Sequence, residues 1–512
     1  MLVQNTSSKN KRIAKNTMFL YIRMFIMLFV GLFTSRVVLN ALGETDYGIY
    51  NIIGGVVVLF SFLNQALTSA TQRFLNFNIG KGDFKKVESV FCMSLNSYII
   101  LSAIFLIVSE TLGLWFVNTQ LNIPVERMDA ANWVYQFTII TFIINLIRIP
   151  YNASIIAYEQ MDFFAYVSLI EVVLKLVVVY VLFIDGIDRL IIYSLLYAIV
   201  PFIVNIAYKV YCGWKFETTH FRLMWDKVTF RSLFSFSSWS LFGSMANMLS
   251  QQGLNILINI FFGVTANAAV GIANTVSSQV MQFVSNFQIA FQPQIVKTYA
   301  ANQISEFHKL IFRTSKFSFY MIYILSLPII LNTQILLELW LVNVPMYTTI
   351  FCQLILGFMI IETITAPLWM AVQATGKIKK YQIWMASCIC LNFPLTYLVF
   401  KMGMPVYTAW CIRIVVNILT FTVRCWYMKV YLSFPVLQFV KLVIVPILTV
   451  IMISAPIPIC LAIFTNQSIT SFCLIILISV IACLASIYKF GMIVEERELL
   501  KVIVFKKILK HR

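Results

Sequence analysis

The stretch VYQFTIITFIINLIRIPYNAS, residues 134–154, decides the fold. It is apolar and long enough to cross a hydrocarbon core, which takes about 20 residues in a helix. Yet Thr138, Thr141, Asn145, Arg148 and Asn152 recur within it at spacings of three and four. That spacing puts all five on one ridge of an α-helix. A cation at the bilayer centre costs roughly 2.5–3.5 kcal/mol even on mild insertion scales. The ridge therefore turns toward a bundle of other helices or a hydrated cavity, and one membrane helix implies many.

The rest of the chain agrees. Its 512 residues are 60% hydrophobic and 11% charged, which is not a soluble composition. We read fourteen spans, beginning near residues 15, 47, 88, 131, 163, 190, 232, 267, 314, 347, 381, 406, 438 and 469. The first follows Lys9, Lys11, Arg12 and Lys15 and has no small-residue cleavage site, which fits an uncleaved span. The formal charge of +18 would suggest nucleic acid in a soluble protein. Here it reads as topology. With the N-terminus inside, inner loops and termini hold 30 Lys and Arg, while outer loops hold only Arg127, Arg189 and Lys401. This bias predicts that both termini are cytoplasmic. The inner turn 158–162 is the weakest case, with no Lys or Arg.

The expected fold class is therefore an all-α integral membrane protein of about 14 helices. A faint internal repeat divides it. LGETDYGIYNI (42–52) and GKGDFKKVESVF (80–91) in the first half answer FGVTANAAVGIANT (262–275) and ANQISEFHKLIF (301–312) in the second. Gly48 and Gly271 are 223 positions apart, as are Phe84 and Phe307. Two pseudo-symmetric six-helix lobes follow: residues 1–212 and 232–430, joined by a linker at 213–231. Helices 13–14 (431–489) and a basic tail (490–512) lie outside the repeat. Prolines 150, 201, 293, 328, 367, 394 and 446 fall inside spans, where each favours a static bend or a hinge.

Five cations lie within spans: Arg23, Arg36, Arg148, Lys175 and Arg413. Lys175 follows Glu171 by four residues, so the two can pair. Arg36 sits near the outer end of its span and can snorkel. Arg23, Arg148 and Arg413 are the candidates for holding a diphosphate, since the guanidinium fork matches phosphate and stays charged when buried. Polar stripes accompany them: Ser240, Ser244, Asn247, Gln251 and Asn255; Asn274, Ser278, Gln282 and Ser285; Ser61, Gln65, Thr68 and Gln72; Arg413, Asn417 and Thr420. Such stripes either glue helices together or line a cavity. From these, Asn145, Gln251, Asn255 and Asn417 join the candidate site. Glu362 is an isolated acid deep in span 10, suited to ion coupling or to pairing with an arginine.

Ten cysteines, mostly in apolar runs, and three histidines give no metal-ligand or redox spacing. There is no phosphate-binding glycine loop and no long outer loop of the kind a membrane glycan polymerase needs. We expect no cofactor, no enzyme activity and no nucleic-acid partner. A drug/ion antiporter would call for an acid-rich interior, and here cations exceed acids.

The segment TSRVVLNALGETDYGIYNIIGGVVVLFSFL (34–63) resembles the first two helices of the polysaccharide flippases. These form the O-antigen and capsule-unit branch of the multidrug/oligosaccharidyl-lipid/polysaccharide (MOP) exporter superfamily. Arg36, Leu42, Gly43, Asp46, Gly48 and Tyr50 carry the pattern, and TQRFLNFNIGKGD (71–83) and FQPQIVKTYA (291–300) extend it. The resemblance implies a 14-helix, two-lobed transporter in a bacterial cytoplasmic membrane. It implies flipping of a polyprenyl-diphosphate-linked oligosaccharide to the outer leaflet, in the company of membrane lipids, glycosyltransferases and a glycan polymerase. Of the site residues, only Arg36 is implied by the resemblance itself.

Overall fold

The structure is a computed structural model. It describes residues 23–498 except 28–29, 31–33, 35–36, 39–40, 44–45, 47–48, 51–52, 55–60, 120, 122, 183–187, 223, 342–343 and 466–467. The elements are helical throughout the described residues: α1 Ser61–Lys81, α2 Phe84–Thr119, α3 Met128–Ala157, α4 Met161–Val181, α5 Arg189–Lys215, α6 Lys227–Ala300, α7 Ile304–Leu331, α8 Thr348–Thr375, α9 Lys379–Lys401, α10 Thr408–Leu432, α11 Val436–Phe464 and α12 Ile469–Gly491. Helices α2 to α5 and α7 to α12 are long and apolar enough to cross a membrane. They coincide with the third to sixth and ninth to fourteenth expected spans.

The other four expected spans fare differently. The first and the start of the second fall largely outside the described residues. The described part of the second is α1, a helix rich in Asn, Gln, Thr and Ser. The seventh and eighth are the two arms of α6, a 74-residue run broken at Gly263, where φ is +79° and ψ is −174°. A residue with a Cβ adopts that backbone only under strain, so glycine is the residue that fits the turn.

Local chemistry explains where the helices begin. The Asp83 side chain accepts from the Lys86 amide at the start of α2, Asp188 from those of Leu190 and Ile191 at α5, and Asp226 from those of Val228 and Thr229 at α6. Each satisfies amides that a helix N-terminus otherwise leaves open. Asp188 does more: it and Asp46 both receive the guanidinium of Arg127. The Arg127 contact, with help from the cap amides, holds the Asp188 carboxyl below the usual carboxylate range. Two prolines show their effect directly. Pro446 follows a π-helical turn, Val440–Ile444, and α9 breaks at Leu391, just before Pro394.

The described residues gather into two compact units. The first holds 23–245, 289–303 and 373–379, and the second 246–288, 304–372 and 380–498. In the first, α3 is central and packs on α1, α2 and α5. Phe91 meets Tyr151 edge-on at 5.2 Å, and Phe105 meets Phe142 at 4.3 Å. In the second, Phe351, Ile355 and Trp410 pack with Leu257 and Ile258 of α6. Among lipid tails, apolar contact does not by itself drive helices together, so packing and polar bonds hold them. Only 22% of the apolar windows of α11 and α12 is buried, against 56% in α2 and α3. Their exposed Leu448, Met452, Leu477 and Ile481 suit contact with lipid.

Candidate functional site

The polar ridge of α3 has two kinds of members. Thr138 spends its hydroxyl on its own helix, donating to the Val134 carbonyl at 2.7 Å. Asn145 and Asn152 each bury a side-chain carbonyl oxygen with no hydrogen-bond partner among the described residues. Buried amides are normally satisfied, so these two call for water or a ligand.

Arg148 stands between them. Its Nη1 lies 3.6 Å from Glu171 Oε2 on α4, an ion pair too long for a hydrogen bond. Glu171 Oε1 takes a closer partner, Lys175 Nζ, at 2.7 Å one turn along the same helix. Lys175 also lies 5.3 Å from the ring centre of Tyr197 on α5. Arg23 completes the group: its guanidinium lies over the Phe164 ring at 4.5 Å, and its charge acts on Glu171 and Tyr208. The buried Arg23 Nε has no hydrogen-bond partner among the described residues. Arg148 lies over the Tyr208 ring at 5.9 Å. Three cations thus surround one carboxylate within apolar helices of the first unit. The predicted Glu171–Lys175 pair is present, and Arg148 joins it. Sequence spacing could not foresee that contact, because Arg148 and Glu171 lie on different helices.

Arg413 belongs to the second unit, with its own surroundings. Its guanidinium sits between the Phe358 ring at 4.6 Å and the Trp410 ring at 4.8 Å. Glu362 is the acid whose charge reaches it, although no ion pair within 4.0 Å links them among the described residues. Asn417 is buried and bonds the Phe358 carbonyl at 3.4 Å, so it ties α10 to α8. Nearby, Arg424 donates to the Thr365 carbonyl at 2.7 Å. Gln251 is exposed on α6, and Asn255 bonds Gln252 on the same helix at 3.0 Å. Neither has a described bond to Arg413. Arg36 and Gly48 lie outside the described residues. No group of three His, Cys, Asp or Glu among the described residues could hold a metal ion.

Three further pairings escaped sequence reasoning. Glu159, in the turn without cations of its own, receives Lys297 Nζ at 2.6 Å and Gln294 Nε2 at 2.7 Å. Arg73 donates to the carbonyls of Gln373 and Ala374 at the end of α8, each at 3.2 Å. Lys316 meets Glu496 at 2.7 Å, with Arg313 at 3.8 Å. Glu159 sits in a tight turn, where its φ is +60°.

Among solved structures, the chain is similar to a MOP-superfamily transporter from Pyrococcus furiosus Vc1 (DSM3638), described by the reverse polarity of its binding pocket. The TM-score is 0.67 at 12% identity, covering 82% of this chain and 96% of that one. An outward-facing multidrug-resistance MATE transporter of the same superfamily gives 0.69 at 12%, with the same coverage. A MATE structure in the straight conformation gives 0.70 at 13%, covering 83% and 96%. The fold is that of the MOP-superfamily transporters. The described residues form helices, ten of them long and apolar enough to cross a membrane, in a fold like that of these transporters. No protein-family model and no curated protein matches the chain.

Proposed function

We propose that this MOP-fold protein flips a polyprenyl-diphosphate-linked oligosaccharide across a bacterial cytoplasmic membrane for surface polysaccharide assembly. The observation that carries this reading is the three-to-one excess of cations over acids at Arg23, Arg148, Lys175 and Glu171. Cations kept inside apolar helices mark a path for something anionic. The reverse polarity described for the Pyrococcus transporter's pocket was taken to suggest a different function within this fold. By the same logic, a positive cluster suits an anionic head group rather than a cationic drug.

In this reading Arg23 and Arg148 hold the diphosphate, while Asn145 and Asn152 supply unsatisfied carbonyls to sugar hydroxyls. The polyprenyl tail stays among the lipids. Arg413 is a second anion contact within its own unit, and Glu362 is its modulating acid. Glycosyltransferases that build the lipid-linked unit and a polymerase that consumes it are the expected partners.

The test is genetic. Arg148→Gln and Arg413→Gln should each abolish surface glycan while membrane levels of the protein stay normal. Unchanged surface glycan in both variants would overturn the diphosphate assignment.

A further inference from the structure

A lone carboxylate among three cations is an odd feature in a site for anions, because it repels the cargo. Glu171 engages Lys175 through one oxygen only, at 2.7 Å. Its second oxygen faces Arg148 at 3.6 Å, and Arg23 acts on the same group. Any anion bound by the two arginines therefore lies beside the Glu171 carboxylate. The charged and titratable groups facing Glu171, among the described residues, are Arg23 from the first span, Arg148 from α3, Lys175 from α4 and Tyr208 from α5. Their balance with Glu171 is two positive charges.

We propose that Glu171 is a specificity-determining residue that tunes this site to dianions, so that it accepts a sugar-linked polyprenyl diphosphate and rejects the sugar-free one. This deepens the function proposed above and rests on it. The chemistry is a matter of charge count. A diphosphate esterified at both ends, to lipid and to sugar, carries two negative charges and neutralises the site. With the sugar gone, the terminal phosphate gains a second ionisation, with a pKa near 6. At neutral pH that lipid approaches three negative charges, and the extra one meets the Glu171 carboxylate. Like charges placed face to face discriminate strongly where water is scarce. The residue would thus separate the loaded carrier from the spent carrier that a downstream glycan transfer leaves behind.

The experiment measures binding of two lipids of one polyprenyl length to the full-length protein in nanodiscs. The probes are polyprenyl-diphosphate-N-acetylglucosamine and free polyprenyl diphosphate. At pH 7.5 the wild type should favour the sugar-linked lipid, and Glu171→Gln should shift the ratio toward the free diphosphate by about tenfold. Glu171→Asp should retain the wild-type preference. At pH 5.5 the wild-type preference should shrink as the terminal phosphate takes up a proton, which a merely structural role for Glu171 would not produce. If Glu171→Gln does not fold, Lys175→Gln serves instead: lowering the site's positive charge should weaken both lipids and sharpen the rejection of the free diphosphate. If the wild type binds both lipids and neither variant moves the ratio, Glu171 does not set the selectivity, although the anion site stands. If the wild type binds neither lipid, the proposed function itself fails.

Discussion

Two carboxylates set among helices show opposite designs. Glu496, in the second unit, is 6% exposed and faces Lys316, itself 4% exposed, at 2.7 Å, with Arg313 nearby. The same oxygen, Oε2, also accepts from the Ile493 amide at 3.1 Å, and Tyr320 ties the same segment down through the Gly491 carbonyl at 3.0 Å. Glu171, in the first unit, is 22% exposed and leaves Arg148 at 3.6 Å. In the same unit Arg23 Nε and the Asn145 and Asn152 carbonyls have no hydrogen-bond partner among the described residues. The first arrangement is closed, with two donors on one carboxylate oxygen and Arg313 beside the other. The second keeps donors and charge in reserve. The contrast separates polar groups that hold helices together from polar groups that await a ligand.

The comparison breaks first at its structural pole. Lys316→Met strands a buried carboxylate and should cost about 3–5 kcal/mol of stability, read as denaturant unfolding in detergent. The double variant Lys316→Met/Glu496→Met should recover most of that loss, because no uncompensated charge remains. A double variant as unstable as the single one would show that the pair is not the cause.

At the other pole, Arg148→Gln should weaken binding of a polyprenyl-diphosphate-linked sugar by about 1.5–3 kcal/mol, the worth of a hydrogen bond to a charged group. Its melting temperature should stay close to wild type. Nanodisc binding isotherms and a thermal melt check both halves of that statement. A large loss of stability with unaltered affinity would place Arg148 with Lys316, among the structural groups.

Gly376 offers a middle case within the first unit. It has φ +76°, and a Cβ there would collide with the Arg73 guanidinium that caps the end of α8. Gly376→Ala should cost about 1–2 kcal/mol from the left-handed backbone alone, seen as a lower melting temperature. Wild-type stability would mean that Arg73 can leave its carbonyls freely.

The smallest effect is expected at Asn145. Since its carbonyl oxygen has no partner among the described residues, Asn145→Leu should change stability by less than about 0.5 kcal/mol while reducing affinity for the sugar-bearing lipid. A clear destabilisation would assign it to the glue between helices.

What the sequence revealed follows from the range of each interaction. A run of about 20 apolar residues is a local signal, so ten described helices fall where spans were expected. The Glu171–Lys175 pair was legible because four residues on a helix bring side chains to one face. Asp46 stood out as part of the LGETDYG stretch, but its hold on Arg127 did not, since 81 positions separate them. Lys316 and Glu496 are 180 positions apart, and Glu159 and Lys297 are 138 apart. Those pairs depend on which helices become neighbours, which hydropathy does not encode. Polar stripes were ambiguous for a related reason: Asn145 and Asn417 look alike in sequence, yet one is unsatisfied and the other bonds Phe358.

The central claim is that the Arg23–Arg148–Lys175–Glu171 cluster serves passage of a lipid-linked diphosphate. It is tested most directly in proteoliposomes carrying a fluorescent polyprenyl-diphosphate oligosaccharide, with a quencher added outside. Wild-type protein should make the inner-leaflet probe accessible over time, and Arg148→Gln, incorporated to the same level, should not. Equal accessibility with both proteins, or none with the wild type, would contradict the account.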